Sequence, residues 1–117
     1  NDMFSYEKHI TFYKDDTEYY ISLEDILFFE TEENKICAHT TDDIYIVKYR
    51  LYELEEVLPG YFMRVSKSTI LNTNHIYSIT RSLSSSSKVE FQHTHKQVYV
   101  SRLYYKPLKI KLSEKRR

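Results

Sequence analysis

Glycine occurs once in this chain of 117 residues, proline twice and cysteine once. One glycine cannot build a glycine-rich phosphate loop, so nucleotide-binding motifs of that kind are excluded. Gly and Pro are also too scarce for a flexible linker or a fibrous repeat, and the turns fall to Asn, Asp, Ser and Thr. The single cysteine, Cys37, excludes an intramolecular disulfide and fits a reducing compartment. Within Ile36-Cys37-Ala38 it reads as a buried strand thiol. No apolar run approaches the roughly 18 residues of a membrane span, and no signal-peptide pattern opens the chain. Nucleophile-elbow and HExxH patterns are missing too, so an enzyme is not expected.

What is present favours β structure. Apolar residues make up 41% of the chain, with 12 Tyr and 6 Phe, enough for one packed domain. The formal net charge of zero conceals a division. Residues 1–58 carry 5 basic and 15 acidic side chains, a balance of −10, and residues 59–117 carry 12 and 2, a balance of +10. Such asymmetry points to a polyanion partner for the basic half.

Along the chain, Ile10, Phe12 and their neighbours alternate as a strand, Asp15-Asp16 mark a turn, and residues 19–23 read as the return strand. Residues 22–26 suit a single helical or 3-10 turn. Ile26-Leu27-Phe28-Phe29 reads as a buried strand. Residues 31–34 read as an acidic loop, and strands are expected at 35–40 and 44–48. Leu51, Leu54, Val57 and Leu58 then share one helical face, with Pro59-Gly60 as the stop. Residues 61–74 read as an irregular link, followed by strands at 76–80, 88–92 and 97–100 and a polar serine connection at 82–87. Ser101 stands as the cap of a terminal helix that Pro107 is expected to kink or end. The domain is placed at 9–112, with an N-terminal extension or linker at 1–8 and a basic, disordered tail at 113–117.

Two clusters invite a chemical reading, one as half of a metal site and one as a carboxylate pair. His93-Thr94-His95 would put two imidazoles on one face of an extended segment, with His39 or His75 as further candidates. A polar hairpin tip is the reading adopted. Glu30, Glu32 and Glu33 are read as a solvated loop. No metal and no cofactor are expected.

Residues 62–72 are different in kind. Phe62, Met63, Val65, Ile70 and Leu71 can anchor the segment, leaving Arg64, Ser66, Lys67 and Ser68 as a basic and hydroxyl edge. Lys and Arg neutralise phosphates and donate to guanine, while hydroxyls fix register on the backbone. Four stretches here resemble the LytTR DNA-binding domain, the output domain of many bacterial response regulators. They are Leu23-Glu24-Asp25-Ile26-Leu27-Phe28-Phe29-Glu30, the helix from Leu51 to Leu58, the segment from Phe62 to Asn72 followed by Ile76, and Val98-Tyr99-Val100-Ser101-Arg102. Together they span about residues 20–112.

The resemblance implies a mainly β fold, an elongated β-β-β arrangement of small antiparallel sheets with one or two short helices. It implies sequence-specific binding of promoter double-stranded DNA by loops entering successive major grooves. It places base contacts at Asn34 or Lys35, at Ser66 and Lys67, and at Arg102, with Arg64 and Ser68 as phosphate or scaffold residues. Arg81 and Lys88 are phosphate candidates on charge alone. Ser66 departs from the family, many members having His there. The resemblance further implies a homodimer on direct repeats, a receiver domain outside this chain, and a cytoplasmic setting. The alternative is a β-rich protein-interaction domain working through the acidic half.

Overall fold

A computed structural model describes residues 10–115. His9 and the expected extension at 1–8 lie outside the described residues, as do Arg116 and Arg117 of the expected tail. The strands are β1 (Phe12–Lys14), β2 (Thr17–Tyr19), β3 (Phe28–Glu32), β4 (Lys35–His39), β5 (Ile44–Val47), β6 (Phe62–Ser66), β7 (Thr69–Asn72), β8 (Ser78–Thr80), β9 (Ser87–Glu90) and β10 (Gln97–Val100). Helix α1 (Leu51–Val57) follows β5, and α2 (Arg102–Lys115) follows β10. Short 3-10 turns occupy Leu23–Asp25 and Thr73–His75. All strand pairs are antiparallel. Seven strands form one sheet in the order β2-β1-β5-β4-β3-β7-β6, and β10-β9-β8 form a second. The expected mainly β architecture is therefore present, with one sheet larger than expected.

Strand alternation places a different core on each face of the large sheet. Phe29, Ala38, Tyr45, Val47 and Ile70 point one way and pack with Leu51 and Leu54 of α1. Phe28, Val65 and Leu71 point the other way and meet Val89, Val98 and Val100 of the small sheet and Leu108 of α2. Asn72, fully buried, ties the layers at their base. Its side chain donates to the Ile26 carbonyl at 2.9 Å and accepts from the Asn74 N–H at 2.9 Å.

Three expectations are corrected. Residues 61–74 are not an irregular link: 62–72 form the β6–β7 hairpin, its register shifted between Arg64 and Ser66. Residues 31–34 are not a loop either. Thr31 and Glu32 extend β3, and Glu32 pairs with Lys35, leaving Glu33 and Asn34 as the whole turn.

Pro107 does not end α2, which runs on to Lys115 and past the expected boundary at 112. Pro107 is exposed, and so is Leu103, the residue whose carbonyl loses its helical partner, so the break falls on the solvent side of the helix. Fully buried Leu108 and partly buried Leu112 anchor the helix beyond the ring. Helix α1 starts without a Ser, Thr, Asp or Asn cap. The Glu53 carboxylate accepts from the Arg50 N–H at 2.8 Å instead, half of a capping box.

Candidate nucleic-acid interface

Two hairpin tips stand side by side at one end of the large sheet. The β3–β4 tip is a two-residue turn with positive φ at Glu33 (48°) and Asn34 (68°). Such left-handed pairs match the twist of the flanking strands, and Asn tolerates the conformation well. The β6–β7 tip is Lys67-Ser68. Here Arg64 acts as a clamp: Nε donates to the Ser66 carbonyl at 2.8 Å and Nη2 to the Lys67 carbonyl at 2.7 Å. Its Nη1 reaches Glu55 of α1 at 2.9 Å. The Thr31 N–H donates to the Ser68 carbonyl at 2.9 Å and so joins the two tips.

An open groove of about 730 Å³ runs between the tips and the start of α1. It collects Asn34, Lys35, Arg64 and Lys67 of the expected residues and adds Lys48 and Arg50. Among the described residues, five basic side chains line it and no acidic one. Lys35, Lys48 and Arg50 are three of the five bases in the acidic half of the chain. The division by chain halves is thus not a division in space. Sequence reasoning missed Lys48 and Arg50. The available signal was Lys48-Tyr49-Arg50, bases interleaved with an aromatic where a strand turns into a helix. Lys48 Nζ also lies over the Tyr13 ring, 4.5 Å from its centroid.

Ser66 and Ser68 do not line this groove. Ser66 Oγ accepts from the Ser68 N–H at 3.2 Å. The Ser66, Ser68 and Thr69 hydroxyls form a chain that ends where Thr69 donates to Glu30 at 3.4 Å. Arg102 sits apart, in a smaller recess of about 190 Å³ with Arg81, Tyr105 and Lys106. Arg81 stacks over the Tyr105 ring at 4.7 Å. One backbone hydrogen bond connects this recess to the β6 edge: the Ser101 N–H donates to the Val65 carbonyl at 2.9 Å. Lys88 lies half-buried on β9 and lines neither the groove nor the recess.

The acidic residues also differ from expectation. Glu30 and Glu32 belong to β3 rather than to a solvated loop, and Glu30 is partly buried, its carboxyl pushed up by burial and then by Glu32. His39 is buried and stacks on Phe28 at 4.3 Å; burial, with Lys96 nearby, lowers its imidazole to about 4. Burial and the Glu32 carboxylate push the Cys37 thiol up to about 11, so it is an inert buried strand thiol. His93 and His95 are exposed beside Thr41 and Asp42.

Comparison with known proteins settles the relationship. The profile of the LytTr DNA-binding domain matches residues 16–113. The chain belongs to that family. An uncharacterized HTH-type transcriptional regulator of Staphylococcus aureus (strain NCTC 8325 / PS 47) is 33% identical over 93 residues, 80% of this chain and 63% of the relative. Its counterpart in strain MRSA252 is 32% identical over the same span. The chain thus covers about 63% of the length of these curated relatives. In structure it is similar to the LytTr DNA-binding domain of a Bacillus cereus protein described as a methyl-accepting/DNA response regulator. That match has a TM-score of 0.80 and 25% identity and covers 90% of this chain and 97% of the other. The relatives are named for a helix-turn-helix, yet α1 and α2 here are separated by the whole of β6 to β10. Among the described residues no helix is long and apolar enough to cross a membrane.

Proposed function

We propose that this LytTr domain binds promoter double-stranded DNA sequence-specifically, reading it with hairpin tips and the start of α2. The observation that carries the reading is the groove between the two tips, lined among the described residues by five basic side chains and no acidic one. Lys35, Lys48, Arg50 and Lys67 supply phosphate contacts, and Asn34 at the β3–β4 tip is a base-reading candidate. Arg64 acts mainly as scaffold, because its guanidinium is committed to Ser66, Lys67 and Glu55. Ser66 and Ser68 present hydroxyls on the other side of the same tip. Arg102, with Arg81 and Lys106, forms a second contact about the α2 start, entering a successive groove. Two domains on direct repeats gain affinity by simultaneous occupancy, and a receiver domain in the full-length protein would control that pairing.

Selection of bound sequences from random duplex DNA with the purified chain tests this. Enrichment of one motif, repeated at a fixed spacing, is the expected result. Recovery of no motif, with binding equal on every sequence, would contradict it.

A further inference from the structure

On the face of the large sheet opposite the basic groove, we propose a binding site for a zinc-like divalent cation formed by Glu30, Glu32 and His39. The register brings these residues together. Phe28 pairs with His39 and Glu30 with Cys37, so Glu30 and Glu32 on β3 share a face with His39 and Cys37 on β4. One ligand atom from each of Glu30, Glu32 and His39 lies within 4.8 Å of the other two. Donors around a tetrahedral zinc stand about 3.4 Å apart, given metal–ligand bonds of about 2.0–2.2 Å. A small rotation of the exposed Glu32 side chain closes the difference.

The independent observation is His39 itself. It is 6% exposed, and neither ring nitrogen has a hydrogen-bond partner among the described residues. Buried nitrogens without partners are rare in folded proteins, and a bound ion is one of the explanations that account for them. A ring nitrogen of His39 faces the two carboxylates.

The donor set selects the metal. Magnesium and calcium prefer shells made entirely of oxygen, whereas one imidazole and two carboxylates with a position left open suit zinc and its neighbours. The Cys37 thiol donates to the Glu32 carboxylate at 3.6 Å and holds that side chain over the site. Lys96 is the nearby opposing charge, but its ammonium is held by the Thr40 and Asp43 carbonyls at 2.8 Å each. A bound cation would cross-link β3 to the far end of β4, where His39 pairs with Phe28. The proposal stands whether or not the groove binds DNA.

Calorimetric titration of the 117-residue chain with zinc chloride, and absorption with cobalt chloride, tests it. Expected are one equivalent bound, a visible cobalt band and a raised Tm. Because His39 lies in the core, its replacement confounds binding with folding; Glu32→Gln, at an exposed position, does not. Glu32→Gln should weaken zinc binding by roughly tenfold or more with the circular dichroism unchanged. The double variant His93→Ala/His95→Ala should bind as the parent does. Failure to take up zinc, or uptake that survives Glu32→Gln and is lost in the double histidine variant, would overturn the proposal.

Discussion

The two hairpin tips reach the same groove by opposite means. The β6–β7 tip is held by a side chain: Arg64 grips two of its carbonyls and ties it to Glu55 on α1. The β3–β4 tip relies on backbone conformation, with both turn residues left-handed. At the far end of the same ladder lies a buried polar group, His39, stacked on Phe28 and close to two carboxylates. One tip is therefore fixed by a polar network and should fail when a single side chain is removed. The other is fixed by its turn and should respond to backbone-compatible substitutions, while the far end of its ladder should respond to pH.

The largest effect is expected at the clamp. Arg64→Ala should cost about 2–3 kcal/mol in urea unfolding, because it strips charge-assisted bonds and leaves the tip unsupported. Arg64→Lys should recover little of this, since an ammonium cannot replace a planar fork. A loss below about 0.5 kcal/mol, the level of an ordinary surface change, would remove the distinction between the tips.

The second effect is a pH dependence centred on His39. Its folded value of about 4 lies below the unfolded value of about 6.5, so the unfolded chain takes up the proton first. The stability contributed is full above about pH 6.5 and is lost as pH falls towards 4, a change on the order of 2–3 kcal/mol for the metal-free chain. Unfolding compared at pH 7 and pH 5, with histidine titration followed by NMR, checks both the sign and the residue.

Arg102→Ala should weaken specific DNA binding by about 1–3 kcal/mol and relax preference at one base pair. A uniform loss over all sequences would assign Arg102 to phosphate. The smallest effect is expected at the unclamped tip. Glu33→Gly relieves a non-glycine residue at φ 48° and should stabilise the chain by roughly 0.5 kcal/mol. Destabilisation would mean that the tip depends on the glutamate side chain after all.

Alternation and the helical spacing of Leu51, Leu54, Val57 and Leu58 made most strands and α1 legible from residue order. The β6–β7 hairpin was not legible. Its turn lacks glycine, and the shift between Arg64 and Ser66 breaks the alternation that marks a strand. Pro107 misled because its consequence depends on whether the freed carbonyl faces solvent, a tertiary fact. For the candidate site, Asn34, Lys35, Arg64 and Lys67 were named from the sequence and do converge. Lys48 and Arg50 were hidden by summing charge over chain halves. Antiparallel pairing carries β4 and the end of β5 to the tip of β6–β7, and no linear count contains that.

The central claim is that the groove between the tips is the DNA surface. The direct measurement is the slope of log affinity against log salt, for the parent chain and for Lys48→Ala/Arg50→Ala/Lys67→Ala on one duplex. Each phosphate contact contributes about 0.9 to that slope, so the triple variant should be shallower by about 2–3 units with its fold intact. An unchanged slope in a folded triple variant would place the DNA elsewhere on the molecule.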